Sequence, residues 1–375
     1  MEYTKLKYIN QYKSESINPA KTPDTVFELY SVPVYETGHP EYLRGDEIAS
    51  NKAIVRKNDV LLCKINPRIN RVWIVSDESD KKNIASSEWI VIRNNEYNPE
   101  FLAWYFRSNK FQRLMTSEVT GIGGSLTRAQ PKCVAEYPVP ILDREKQDKI
   151  VDILNRCKYV IEARKQEITA LDNLVKARFV ELFGDMLLNS KKWPEMRLDE
   201  IADIVSGITK GRKIKEQKLF EVPYMAVSNV KDGYIDWTTV KTIMASQAEI
   251  EKYRLKPFDV LMTEGGDPDK VGRGSIIHLP PENCIHQNHI FRVRLNRDIL
   301  LPEYMEQYLQ QQKAKRYFLG CAKQTTGIAS INMRQLTGLP LLIPEMQLQE
   351  EFTNFVQQVD KSKVIKYIST QKLCT

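Results

Sequence analysis

Two stretches of the chain carry an apolar seam at helical spacing with no helix breaker inside them. From Arg144 to Phe183 there is neither proline nor glycine, and apolar residues recur in alternating steps of four and three: Ile150, Leu154, Cys157, Ile161, Ile168, Leu171, Val175 and Leu182, with Arg164 and Arg178 as interruptions. Gly184 follows, suited to the left-handed residue that ends a helix. The span from Ile150 to Leu182 would rise about 50 Å. A second seam begins near Gln347, with Leu348, Phe352, Phe355, Val359 and Ser362, and loosens before the end of the chain. A helix with such a seam must bury it, so each long helix is the natural partner of the other.

Before each helix lies a module of mixed pattern. In the first, Val60–Ile65, Arg71–Val75 and Trp89–Arg93 read as strands, and Glu100–Met115 as an amphipathic helix. In the second, Asp259–Thr263, Gly274–His278 and Ile285–Arg294 read as strands, and Glu303–Leu319 as a helix. The modules also repeat one another. Asp59-Val60-Leu61 returns as Asp259-Val260-Leu261, Pro99-Glu100-Phe101 as Pro302-Glu303-Tyr304, and Thr120-Gly121-Ile122 as Thr326-Gly327-Ile328. Pro138-Val139-Pro140-Ile141 before Gln147 returns as Pro340-Leu341-Leu342-Ile343 before Gln349. Four matches in one order, each offset by about 200 residues, indicate duplication. The expected fold is α+β, with modules at 1–143 and 185–345, a long helix at 144–184 and a shorter one at 346–375.

Charge changes the picture modestly. The 55 lysines and arginines exceed the 48 acids, for a formal charge of +7, which favours a polyanionic partner. Two readers held about one DNA turn apart (~34 Å) could occupy two half-sites. The six cysteines are scattered, the N-terminus has no apolar core of an export signal, and no segment reaches the ~20 apolar residues of a membrane helix. These features lead us to expect a cytoplasmic protein with no membrane association.

Fragments that resemble catalytic motifs do not complete them. Asn66-Pro67-Arg68-Ile69 lacks the second proline and the aromatic of an amino-methyltransferase loop, and no strand leads into a Gly-x-Gly turn. Gly207-Ile208-Thr209-Lys210-Gly211-Arg212-Lys213 is glycine-rich and basic but has the wrong spacing for a P-loop. Cys284, His286 and His289 would put the two histidines on opposite faces of a strand. Glu264, Asp267 and Asp269 lack a following lysine motif and read as part of a turn. The expectation is a non-enzyme with no cofactor and no metal of its own.

The repeated order Asp-Val-Leu, Pro-Glu-aromatic, Thr-Gly-Ile, Pro-x-x-Ile and glutamine-led long helix resembles the specificity subunits of type I restriction–modification systems, over essentially the whole chain. Ser31-Val32-Pro33-Val34-Tyr35, Lys64-Ile65-Asn66-Pro67-Arg68 and Arg71-Val72-Trp73 look like one recurring class of target-recognition domain. The resemblance implies two target-recognition domains, each reading half of a bipartite asymmetric site in double-stranded DNA. It also implies long helices that pack as an antiparallel coiled coil, set the gap and dock two methylation subunits. An endonuclease/translocase subunit would join for restriction. S-adenosylmethionine, Mg and ATP would be held only by those partners. The sequence departs from the family at its end, where the second helix has no clear counterpart to Arg164–Phe183. A silent specificity cassette and a duplicated scaffold that does not bind DNA stay open as alternatives.

Residues shared by the modules should be scaffold, because the halves are expected to read different sequences; the readers should lie where the halves differ. These are Lys64, Asn66, Arg68, Asn70 and Arg71 in the first, and Lys210, Arg212, Lys213, Asn229, Lys231 and Arg273 in the second. Arginine and lysine suit guanine edges and asparagine suits adenine, although many such residues contact phosphate instead. Trp73, Trp89 and Trp104 sit in periodic apolar stretches and read as core.

Overall fold

The computed structural model describes residues 2–117, 119–120, 127–213, 218–267, 270–325 and 328–374. It divides into two units, 1–160 and 161–375. The helix Arg144–Phe183 begins in the first and ends in the second. The Gly121-Ile122 and Thr326-Gly327 portions of the repeated loops lie outside the described residues.

In the first unit a three-stranded antiparallel sheet centres on Val60–Cys63, flanked by Val72–Ile74 and Trp89–Ile92. All four residues of the central strand are buried, because both faces of the sheet are covered. On one side Val60, Leu62 and Val72 meet Phe101, Phe106 and Phe111; on the other Leu61, Cys63 and Trp73 meet Tyr30 and Trp89. A five-stranded sheet adds the parallel pair Val26–Tyr30 and Lys82–Ala85. Trp73 and Trp89 are core residues, ringed by Tyr30 and Tyr35 at 4.9–6.1 Å between centroids and 6.3 Å from each other. Trp104 is half-buried, its indole N–H on Asn155 Oδ1 at 3.0 Å.

The second unit repeats this plan. Asp259–Thr263 lies between Gly274–Ile277 and Ile290–Leu295, and Ala202–Ser206 adds a fourth strand to that sheet. Phe220–Met225 runs parallel to Ile285–His286, as Val26–Tyr30 does to Lys82–Ala85. Each unit closes with a short antiparallel pair that joins its start to its end, Tyr3–Lys5 with Pro138–Pro140 and Glu195–Arg197 with Pro340–Leu342.

Two expected helices are each broken in two. Pro99–Arg107 and Asn109–Ser117 part at Ser108, and Pro302–Leu309 and Gln312–Cys321 part at Gln310 and Gln311. The break lets both pieces face one core: Phe106 and Phe111 meet across it at 4.7 Å. The expected strand Ile285–Arg294 is likewise two strands, separated at Gln287-Asn288-His289.

The long helices agree closely with their pattern, ending at Phe183 with Gly184 left-handed at φ 78°, and running from Met346 to Cys374. Within the second unit they pack antiparallel. Arg178 pairs with Glu351, and six residues earlier Asp172 pairs with Lys363 at 2.8 Å. Val175, Leu182, Phe352 and Val359 are buried there, with Leu171, Leu348 and Phe355 packed beside them. The seam needs two corrections. Phe179 and Phe183, both fully buried, carry the packing in place of Arg178, since apolar neighbours at i+4 prolong the buried face. Ile150 instead packs, beside Val151, against the first unit's own core. Leu154, Cys157, Ile161 and Ile168 are half-buried.

Candidate nucleic-acid interface

The duplicated residues build scaffold. Gln147, buried at the start of the first long helix, accepts from Asn98 N–H at 2.7 Å and donates to Leu142 O at 2.8 Å. Gln349 accepts from Leu301 N–H at 2.9 Å and donates to Ile299 O and Pro344 O. Arg93 grips buried Asp59 through two hydrogen bonds of 2.8 and 2.6 Å, and Arg294 grips buried Asp259 through two of 2.7 and 2.8 Å. Tyr105 and Tyr308 donate to Pro138 O and Pro340 O. None of these groups is presented for a ligand.

Residues that differ between the units line their loops. In the first unit Lys64–Arg71 joins the central strand to Val72–Ile74. Asn66 takes φ 45°, a conformation asparagine tolerates, and its N–H donates to Thr127 O at 2.8 Å. Gln112 donates to Pro67 O, and Asn70 donates to Arg107 O at 3.0 Å while its own Oδ1 is buried. Pinned in this way, the loop exposes Arg68 and leaves Lys64, Asn66, Asn70 and Arg71 half-buried. Arg71 lies near Cys63, whose thiol burial pushes above its ordinary range. Lys64 lines a cavity of about 430 Å³ with Lys7, Lys52, Tyr12 and Trp89. Burial lowers the Lys52 ammonium there.

In the second unit Lys210 and Lys213 are exposed on the basic loop. Gly207 lets the loop leave the sheet, because a Cβ there would collide with the backbone oxygens of His286 and Gln287. Beyond it, Ile208 N–H donates to His286 O at 2.9 Å and Asn288 N–H to Ile208 O at 3.0 Å. Two of the named residues are turned inward. Arg212 is clasped by Glu249 through two 2.5 Å hydrogen bonds, and its guanidinium holds that carboxyl below its ordinary range. Asn229 is fully buried and closes its own turn, accepting from Ala226 N–H and donating to Asp236 O and Thr239 Oγ1. Asn229 therefore shapes a loop and does not face a ligand. Lys231 and Arg273 are half-buried, the latter with its Nε enclosed.

The strand expected to set His286 and His289 on opposite faces is broken between them, yet one is buried and the other exposed. His286 is buried against Ile290 O at 3.1 Å, and desolvation lowers its pKa to about 4. His289 is exposed and meets Glu264 at 2.5 Å. Among the described residues, no group of three or more metal-ligating side chains clusters, and no helix is long and apolar enough to cross a membrane.

Two structurally equivalent units with unlike polar loops, tied to long helices, define a duplicated protein. Residues 190–371 match the family model described as "Type I restriction modification DNA specificity domain", so this part of the chain is similar to that domain. The chain is 23% identical over 272 residues to the type I restriction enzyme EcoKI specificity subunit of Escherichia coli strain K12, covering 69% of this chain and 58% of that one. It is 27% identical over 136 residues to the HindI specificity subunit of Haemophilus influenzae, covering 36% and 29%. The chain thus spans less than two thirds of the length of these curated relatives. Among solved structures, it resembles a chain from "Structural basis underlying complex assembly and conformational transition of the type I R-M system", with TM-score 0.61 at 20% identity over 99% and 94% of the two chains. It also resembles the S subunit of a type I restriction–modification system from M. genitalium, with TM-score 0.54 at 14% identity over 100% and 92%. At these identities the structures speak to the fold.

Proposed function

We propose that this chain is the DNA-recognition subunit of a type I restriction–modification complex, with each unit reading one half of a bipartite, asymmetric site in double-stranded DNA. The carrying observation is the contrast between the halves. The Gln147/Gln349 clamps, the Asp59–Arg93 and Asp259–Arg294 pairs and the buried strands are common to both, whereas the segment that follows the central strand carries Lys64, Asn66, Arg68 and Arg71 in one and Glu264, Asp267 and Arg273 in the other. A conserved frame with divergent polar loops is what two readers of different sequences require, since base edges are told apart by side chains.

In this reading the chain performs no chemistry. Two methylation subunits hold S-adenosylmethionine and modify adenine, and an endonuclease/translocase subunit uses Mg and ATP. The long helices set the gap between half-sites and offer the docking surface for the methylation subunits. The test is a genome-wide map of methylated adenine in the source cells, with and without the gene. Loss of a single two-part motif on deletion is expected. An unchanged map would instead favour a silent cassette or a scaffold that does not bind DNA.

A further inference from the structure

The two units place side chains of opposite character at one position of the shared frame. Lys64 N–H donates to Glu88 O at 3.0 Å, and Lys64 O accepts from Ala129 N–H at 2.9 Å. Glu264 N–H donates to His289 O at 3.0 Å, and Glu264 O accepts from Ile331 N–H at 2.8 Å. Both residues directly follow the buried central strand, Val60–Cys63 in one unit and Asp259–Thr263 in the other. The same backbone partners hold both, so positions 64 and 264 are equivalent, as are 88 and 289.

What differs is the hydrogen-bonding character. In the first unit the site holds the Lys64 ammonium and Arg128, whose guanidinium forks onto the Glu88 carboxylate at 3.1 and 3.2 Å, with 46% and 27% of those two side chains exposed. In the second it holds the carboxylate of Glu264 against His289 at 2.5 Å, with 34% and 54% of their side chains exposed. Asn288 Nδ2 lies 3.2 Å from His289 Nε2. This site adjoins the basic loop: Asn288 N–H donates to Ile208 O, and Asn288 O accepts from Ser206 Oγ at 2.6 Å. Lys210 and Lys213, a few residues along that loop, are exposed, so cations suited to phosphate neighbour a polar group suited to a base edge.

We propose that this position reads a base in each half-site: Lys64 with Arg128 in the first, and Glu264 with His289 and Asn288 in the second. The inference rests on the DNA-recognition reading above. Lysine and arginine donate to guanine O6 and N7, whereas a carboxylate accepts from an exocyclic amine, above all cytosine N4. The first half-site therefore carries a guanine at the contacted position, and the second an amino-bearing base.

The experiment maps methylated adenine in cells that carry the intact complex, with the wild-type chain, Glu264→Lys, Glu264→Gln or Lys64→Glu. Glu264→Lys is expected to move the preference at one position of the second half-site toward guanine by about tenfold or more, with the first half-site unchanged. Lys64→Glu should alter one position of the first half-site alone. Glu264→Gln keeps the size and one acceptor oxygen, and should relax the same second-half position. If Glu264→Lys abolishes methylation altogether, Glu264→Gln decides. An unaltered motif in Glu264→Gln, or an equal loss over every site, overturns the inference. A wild-type map with no motif that depends on the gene would fail the DNA-recognition reading itself, an outcome distinct from a wild-type motif that position 264 leaves untouched.

Discussion

At the scale of single residues, buried polar groups give the sharpest expectations. Glu306 accepts from Ser275 Oγ at 2.9 Å and Ile276 N–H at 2.8 Å, and burial raises its carboxyl from 4.5 to about 7. The folded state binds this proton more tightly than the unfolded chain. Glu306 therefore supports the fold fully below pH 4.5, and that support fades as pH rises to about 7. His286 acts in the opposite sense, because its pKa falls from 6.5 to about 4, so its support is present above pH 6.5 and fades on acidification. Relative to wild type, Glu306→Gln should gain stability between pH 4.5 and 7, by at most about 3 kcal/mol. Denaturant titrations of both proteins across that range check it. The glutamine clamps make a second test. Gln147→Ala and Gln349→Ala each strand buried backbone groups and should cost about 1–3 kcal/mol. Hydrogen exchange should locate the first loss in residues 1–160 and the second in 161–375.

At the scale of elements, packing and close approach decide. Phe352 is fully buried between Phe179 and Phe183, with centroids at 5.4 and 5.6 Å. Phe352→Ala should cost about 3–5 kcal/mol and loosen the antiparallel helix pair, seen as faster exchange of amides near Val175 and Phe179. The neighbouring Arg178–Glu351 pair is half-exposed and adds little energy of its own; its place is to match the two helices in register. The basic loop of the second unit depends on Gly207 in another way. Gly207→Ala drives a Cβ into backbone that cannot yield cheaply, so the loop must shift. Methylation should then weaken or lose discrimination in the second half-site, while the first half-site keeps its sequence.

At the scale of the whole molecule, the formal charge of +7 and the exposed cations bear on affinity more than on fold. Binding of the assembled complex to its own site should fall linearly in log–log form with added salt, with a slope near 0.9 for each phosphate neutralised. Arg68→Ala separates the two modes of contact. If Arg68 reads a base, sequence preference relaxes in one half-site at nearly constant salt slope. If it contacts phosphate, affinity drops on all DNA and the slope falls by about 1.

The sequence by itself determined what depends on local periodicity and on repetition. The long helix is bounded at Arg144 and Gly184 because nothing inside it breaks an α-helix and glycine tolerates the left-handed cap. The duplication was readable because the second copy keeps the residues that hold the frame: Asp259 for Asp59, Gln349 for Gln147, Tyr308 for Tyr105. Tertiary structure alone decided which polar residues face outward. Asn229 and Arg212 look as available in sequence as Lys210 does, yet one closes a buried turn and the other is clasped by a glutamate 37 residues away. Phe179 displaced Arg178 from the seam because the helix buries a wider face than a strict heptad stripe. The pairing of Glu264 with His289 joins residues 25 apart, and its match to Lys64 and Glu88 emerges only from the backbone partners the two copies share. Local spacing has no term for such contacts: which side chain is left for solvent is set by what the rest of the chain covers.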